Sequence, residues 1–408
     1  MNGTPVVRSL VVAGVRPWPT TDGYRQRLSN FILALAKLGP VDVFCFDEPD
    51  SLGPFDTAAV PAGVRLVVAP RATRSLWKRA WSWTTQKVPR SVTVDDPSRL
   101  RDIFVPQLAE RYDVMLISHI GPWFALQGLV DAPTIVDIDN LDHAILRATA
   151  AERRSGSIPD RLRAQIDRID AERMLQLEFR CAREVAAVVL CSELDVGRSG
   201  LPNAHAVPNG YTRHRPPPER RKPGASPRII FVGLLSYPPN NDAARWFAED
   251  AMPLVRREIP GATFRIVGRG GEALADLRTL PGVELAGEVD DVQAELDESD
   301  VSVVPIRFGA GTRLKVVEAL ANRLPLVCTT IGCEGIDVTD RHSAMLADSA
   351  QDLASACIEV IRNDALRARL VDQGERLWQR NYRWEDIHGT IGDLVDTVIR
   401  PELDRDAP

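Results

Sequence analysis

Two cations and a carboxylate stand close together late in the chain: Arg313, Lys315 and Glu318. A turn of small residues, Gly309, Ala310, Gly311 and Thr312, leads into them, and Leu314 lies between the cations. Such a turn at the start of a helix offers free backbone N–H groups and the positive end of the helix dipole, which favour an anion. Cations in a first helical turn oppose that dipole, so Arg313 and Lys315 imply an anionic ligand that compensates them. Glu318 is i+3 from Lys315, and both side chains can address one side of a helix. A surface ion pair between them is the plain alternative. Other residues suited to binding or catalysis are His119, the loop around Gly23 with Arg25 and Arg27, and the run Asp137, Asp139, Asn140 and Asp142. Carboxylates clustered in this way suit either a metal or a polar, structural role.

The apolar pattern shows which elements must position these residues. Val301–Pro305 and Leu324–Cys328 are short apolar runs that predict buried strands, and Leu314, Val317, Leu320 and Ala321 recur between them at helical spacing. Strand, Gly-rich turn, helix and strand make one βαβ unit. The chain opens the same way, with a strand at Ser9–Gly14, a helix through Leu28, Phe31, Ile32 and Leu35, and a strand at Val41–Phe46. Gly23 lies in the turn beyond the first strand, and His119 directly follows the predicted strand Val114–Ser118. In a doubly wound sheet, ligands bind at these carboxyl ends. Pro133–Asp137 predicts a further strand, and Asp352–Arg380 reads as helical. Ala144–Arg183 reads as helix with one break at Gly156–Pro159. Arg228–Val232 predicts the first strand of a second half. Gly233 opens its loop, GLLSYPPNN, where Asn241 or Asp242 is expected to cap the next helix.

Arg71–Arg90 carries Arg71, Arg74, Lys78, Arg79, Lys87 and Arg90 with no acidic residue, interleaved with Trp77, Trp81 and Trp83. Trp77 and Trp81 are i,i+4 and share a helical face. The combination suits an anionic membrane surface or a lipid-linked phosphate. A helix that tucks its tryptophans into the core and leaves its cations solvated has the same pattern.

With 408 residues the chain is too long for one ordinary core, so two domains are expected. Their division is drawn at the Pro-rich, aperiodic stretch 213–227, between domains at 1–212 and 228–384, with 385–408 as a C-terminal helix and tail. A net charge of −6 argues against a nucleic-acid partner. The six cysteines are scattered and form no C-x-x-C pair, so neither a zinc site nor a disulfide framework is signalled. A reducing cytoplasm is the expected location. The N-terminus lacks the pattern of a signal peptide, and no apolar run reaches the about 18 residues of a membrane span.

The stretch GTRLKVVEALA, Gly311–Ala321, resembles the donor-binding signature of the group 1, family-4 retaining glycosyltransferases. The resemblance implies a GT-B fold: α/β, with two Rossmann-like doubly wound parallel-sheet domains facing a cleft. It implies that Glu318 binds the ribose hydroxyls of a nucleotide diphosphate-sugar, and that Gly309, Ala310, Gly311, Thr312 and Leu314 hold the pyrophosphate and sugar. It also places Gly23 and Gly233 on the donor side and brings His119 to the donor sugar. Arg25, Asp139 and Asn140 become acceptor-side residues. The family pattern has two glutamates separated by seven residues, and the first falls on Ala310 here. Many relatives carry Arg and Lys after the strand that matches Arg228–Val232. This chain has neither, so Arg313 and Lys315 become the phosphate partners. The expected function is sugar transfer from such a donor to a glycan, lipid-linked or small-molecule hydroxyl, without metal or other cofactor. The expected location is cytoplasmic, with peripheral membrane contact through Arg71, Trp77, Lys78, Arg79 and Trp81. A nucleotide-sugar epimerase and a non-catalytic nucleotide-sugar-binding partner protein are the rivals.

Overall fold

Short β-branched runs form strands here because each is buried on both faces, as parallel sheets require. In the computed structural model, which describes residues 6–20, 22–47, 60–153, 157–213, 215–219, 222–309 and 313–403, these runs build two separate sheets. The chain divides into two compact units, 1–208 with 385–408, and 209–384.

Unit 1 contains strands β1 (Ser9–Ala13), β2 (Val41–Asp47), β3 (Val64–Pro70), β4 (Val114–Ser118), β5 (Thr134–Asp139), β6 (Ala187–Leu190) and β7 (Ala204–Ala206). They form one sheet in the order β3-β2-β1-β4-β5-β6-β7, parallel throughout. Its helices are α1 (Gly23–Ala36), α2 (Leu76–Thr85), α3 (Pro97–Phe104), α4 (Ile120–Leu126), α5 (Asp142–Arg153), α6 (Ile158–Glu184) and α7 (Glu193–Ser199). Leu10, Val12, Phe44, Ile117, Trp123, Val136 and Val188 belong to its core. α6 begins at Ile158 behind its N-cap Ser157, within the Gly156–Pro159 stretch where a break is expected.

Unit 2 has strands β8 (Arg228–Val232), β9 (Thr263–Val267), β10 (Val283–Gly287), β11 (Val301–Val304), β12 (Leu326–Cys328) and β13 (Met345–Leu346). Their order is β10-β9-β8-β11-β12-β13, again all parallel. Its helices are α8 (Pro238–Trp246), α9 (Met252–Glu258), α10 (Val292–Asp297), α11 (Leu314–Ala321), α12 (Ala350–Arg362) and α13 (Asp364–Asn381); α14 (Trp384–Leu403) then begins. Its core, separate from that of unit 1, includes Ile229, Phe231, Phe264, Val303, Val317, Leu320 and Val327.

The expected helical stretch Asp352–Arg380 is present as α12 and α13, divided where Asn363 caps α13 by accepting from the Leu366 N–H at 3.0 Å. One expectation is corrected here. The helix after β8 starts at Pro238, not beyond Asn241, because prolines suit the first turn, whose N–H groups have no helical partner. The Pro-rich stretch lies against unit 2: Arg213 donates to the Ala321 carbonyl at 2.7 Å and pairs with Glu375 at 2.9 Å, and Arg215 pairs with Asp291 at 2.6 Å.

Each sheet reverses its winding at one place. Chain order runs outward in opposite directions from β1 and β4 in unit 1, and from β8 and β11 in unit 2. In open parallel sheets, the crevice beyond the strand ends at this switch point is where ligands bind. The loops that leave β8 and β11 therefore deserve the closest chemical reading in unit 2, and those that leave β1 and β4 in unit 1.

Candidate functional site

In unit 2, β8 and β9 end on glycines whose backbones touch. A Cβ built on Gly268 would lie 1.7 Å from the Gly233 carbonyl oxygen, and Gly268 has φ +145°, so no other residue fits there. This contact starts the Gly233 loop, which returns at Pro238 into α8. The β11 loop passes through Gly309, with φ +112° and Pro239 of α8 so near that a Cβ would stand 3.1 Å from its Cγ. Ala310, Gly311 and Thr312 lie outside the described residues. Beyond them Arg313 precedes α11, whose Val316, Val317, Ala319, Leu320 and Ala321 are buried. Gly374 of α13 lets that helix approach closely, since a Cβ there would stand 2.8 Å from Leu320 Cδ2.

The charged side chains gather at the start of α11. Arg313 is buried, with Nε 3.5 Å from the Ile331 carbonyl oxygen. Lys315 Nζ donates to Asn240 Oδ1 at 2.8 Å and lies 5.3 Å from the centre of the Phe231 ring. Burial pushes the Lys315 ammonium down to about 7, and Arg313 adds to the fall while Glu318 opposes it. Burial pushes the Glu318 carboxyl up to about 7 against the pull of Lys315. Both side chains keep part of their surface open. Among the described residues no ion pair within 4.0 Å joins Lys315 to Glu318, so the surface pair that the spacing allowed is not formed. Tyr237 lies near Arg313, and burial pushes its phenol up while Arg313 opposes the shift.

These groups suit a ligand with negative charge at one end and hydroxyls nearby. Arg313 and Lys315 offer cations that two different protein carbonyl-type oxygens already orient, and Glu318 offers acceptors one turn on. Leu314 is the first residue of α11.

In unit 1, His119 ends β4 in a strained conformation, φ +71° and ψ +156°, which a side chain rarely adopts. Asp139, at the end of neighbouring β5, also has positive φ, +58°. The His119 ring meets the Tyr24 ring edge to face at 4.2 Å. Burial pushes the Tyr24 phenol up, and the Asp137 charge adds to it. Burial also pushes the Asp142 carboxyl up to about 6, opposed by His119 and assisted by Glu178 and Asp139.

Gly23 is the first residue of α1, not a loop residue. Arg25 forms an ion pair with Asp22, the N-cap of α1, whose carboxylate also accepts the Arg25 N–H at 2.9 Å. The deeper cation is Arg27, 1% exposed, which grips Asp137 through Nε at 2.9 Å and Nη2 at 2.8 Å and donates from Nη1 to the Val207 carbonyl at 2.8 Å. Asp139 stands 3.6 Å from Arg27 Nε and accepts from Asn140 Nδ2 at 2.9 Å. A guanidinium thus occupies the middle of the carboxylate run. Among the described residues no cluster of His, Cys, Asp or Glu is arranged to hold a metal ion.

On α2 the tryptophans split. Trp83 turns inward, donating from Nε1 to Asp170 at 2.8 Å under the Arg173 guanidinium. Trp77 and Trp81 stay outside, 68% and 53% exposed, beside Leu76 at 79%. The expectation that this helix buries its tryptophans fails for these two. Arg71 pairs with Asp95 at 2.9 Å, whereas Lys78 is exposed and Arg79 half-buried.

Residues 226–363, which contain β8 to β13 and the whole α11 site, match the family model described as Glycosyl transferases group 1. The chain superposes on sucrose-phosphate synthase from Thermosynechococcus elongatus with a TM-score of 0.69 at 15% identity, over 97% of this chain and 100% of that one. The fold is GT-B. The segment that matches the group 1 model lies within unit 2. In sequence the chain is 25% identical over 300 residues to a glycogen synthase of Mycobacterium tuberculosis, covering 69% of this chain and 66% of that protein. It is 29% identical over 180 residues to a phosphatidyl-myo-inositol mannosyltransferase of Mycobacterium leprae, covering 42% and 46%. The chain therefore spans just under two thirds of the first relative's length and under half of the second's.

Arg313, Lys315, Glu318, Gly233 and Gly309 share one neighbourhood of unit 2, and Asn240 and Pro239, which the sequence analysis does not single out, stand among them. The PPNN run signalled only a cap. Arg27 was grouped with Arg25 as a loop cation, and its burial could have been suspected from its place beside Leu28 and Phe31 on the buried face of α1.

Proposed function

We propose that the protein is a retaining glycosyltransferase of family 4 that transfers a sugar from a nucleotide diphosphate-sugar to a hydroxyl acceptor in glycan, polysaccharide or glycolipid synthesis. The supporting observation is the gathering of Arg313, Lys315 and Glu318 at the start of α11, beside the β8–β11 switch point and inside the group 1 segment. As the bond from sugar to phosphate breaks, negative charge grows on the leaving diphosphate. Preoriented cations in a partly dry site stabilise that charge more than they stabilise the ground state. Arg313 and Lys315 take this role, and the Glu318 carboxylate accepts from both ribose hydroxyls. Charge supplied by these cations replaces what a divalent metal supplies elsewhere, so turnover should survive a chelator. Gly311 and Thr312 belong to the same reading as backbone donors to the diphosphate. Unit 1 is assigned the acceptor, and the strained His119 is assigned an orienting contact to the sugar. The test is incubation with labelled UDP-, GDP- and ADP-sugars. Release of nucleotide diphosphate, with the anomeric configuration of the sugar kept, is expected. Binding without turnover of any donor would make the protein a binding partner instead.

The exposed face of α2 favours a membrane as the place of work. Leu76, Trp77 and Trp81 beside Lys78 present apolar and cationic surface together, which matches an anionic phospholipid interface. No helix among the described residues is long and apolar enough to cross a membrane. Co-sedimentation with vesicles containing phosphatidylglycerol should exceed that with phosphatidylcholine alone, and should fall when Trp77 and Trp81 are changed to Ser. Equal sedimentation of variant and wild type would remove this part of the proposal.

A further inference from the structure

The β8 loop, Gly233–Tyr237, and the first turn of α8 after it have no lysine or arginine, yet they lie at the switch point where the diphosphate of the proposed donor would sit. One neutral side chain joins this loop to the cation of α11. Asn240 is 6% exposed and sits in the first turns of α8. Its Nδ2 donates to the Leu234 carbonyl at 2.9 Å, and its Oδ1 accepts from Lys315 Nζ at 2.8 Å. The two bonds fix the orientation of the amide, because a carbonyl only accepts and an ammonium only donates. The same side chain lies flat on Gly233: a Cβ at Gly233 would stand 2.9 Å from Asn240 Nδ2. Pro239, one residue earlier, touches the β11 loop at Gly309. A single turn of α8 therefore meets the β8 loop, the β11 loop and α11.

We infer that Asn240 is a positioning residue of the donor site, whose amide, anchored on the Leu234 carbonyl, sets the reach of Lys315. This inference rests on the donor-site reading of α11. A long, flexible lysine loses much rotamer freedom when ordered. A partner that already holds its ammonium removes that cost from ligand binding, which is how preorganisation raises affinity. The amide also leaves Lys315 its charge for the ligand. A carboxylate at position 240 would neutralise it instead. The chain has thus replaced cations on the β8 loop by an amide on α8 that aims a cation from the neighbouring loop.

The test measures binding of UDP, GDP and ADP, with inorganic phosphate as control, by calorimetry on the full chain, with folding followed by circular dichroism. Asn240→Ala should weaken the preferred nucleoside diphosphate roughly tenfold, the scale of one hydrogen bond to a charged group. Asn241→Ala removes only the neighbouring 3.3 Å bond to the Leu235 carbonyl and should leave affinity unchanged. In a Lys315→Met background, Asn240→Ala should cost nothing more, because its effect runs through Lys315. Asn240→Asp keeps the shape; by pairing with Lys315 it should extend binding to higher pH while lowering affinity at neutral pH. Equal losses from Asn240→Ala with and without Lys315, or an equal loss from Asn241→Ala, would overturn the inference and leave the donor site standing. A wild-type protein that binds none of the three nucleotides would overturn the donor-site reading itself, and the inference with it.

Discussion

Each unit gathers buried charge at its switch point, and the two handle it in opposite ways. In unit 1, Arg27 meets the Asp137 carboxylate with two nitrogens and the Val207 carbonyl with a third, and Asp139 stands beside it. That charge is matched internally. In unit 2, Lys315 is pushed down and Glu318 up until both titrate near 7, and Lys315 bonds to a neutral amide, not to the carboxylate. Burial alone is thus no sign of a binding site. A matched buried pair holds a scaffold together, whereas buried ionisable groups displaced toward neutrality and gathered at a switch point mark a candidate binding site.

The contrast can be broken most forcefully at Arg27. Arg27→Ala leaves Asp137 buried without its partner, which typically costs about 3–5 kcal/mol. Thermal unfolding should begin at a markedly lower temperature, while nucleoside diphosphate affinity at temperatures where the variant is folded should not change. A loss of affinity with normal stability would reverse the roles given to the two networks. Next in size are Arg313→Ala and Lys315→Ala. Removal of one preorganised charge-stabilising donor costs about 10²–10³ in turnover in other enzymes, and steady-state transfer by the folded variants should show a loss of that order. Wild-type turnover in both would dissociate these cations from the reaction. Glu318→Gln should have a smaller effect, about tenfold in donor affinity with little change in turnover, because ribose hydroxyls are present in ground and transition states alike. Its pH dependence sharpens the point. Glu318 has a raised folded pKa of about 7, so its carboxylate form, and donor affinity with it, is lost as pH falls through that value. Glu318→Gln should abolish this acid limb.

Much of this arrangement was legible in the sequence. Apolar runs such as Val114–Ser118 and Arg228–Val232 are strands with the expected bounds, since parallel sheets bury both faces and leave few other readings. The α11 cations were legible because they oppose the helix dipole. Asn240 was not, because an asparagine after two prolines reads as a cap, and only the sheet order brings α8 beside α11. The strand β7 (Ala204–Ala206) was hidden for another reason: three residues with a histidine in the middle carry too little periodicity. The division at Asn363 is signalled by Asn-Asp, with the helical pattern on both sides of it. Arg27 looked like a surface cation, since a single chain position does not show that Asp137 lies opposite.

We propose that a nucleotide diphosphate stabilises the charged form of Lys315 at the start of α11. Lys315, pushed down to about 7, has largely lost its proton at pH 8 in the free protein. A diphosphate placed against it restores the ordinary preference of a lysine for the charged form. Binding at pH 8 must therefore take up a proton from the buffer. Calorimetric titration of the preferred nucleoside diphosphate in HEPES and in Tris, whose ionisation heats differ, measures that uptake directly. The account predicts uptake approaching one proton for the wild type and none for Lys315→Arg, which keeps its charge at every accessible pH. Equal heats in the two buffers for the wild type, or the same uptake in Lys315→Arg, would contradict it.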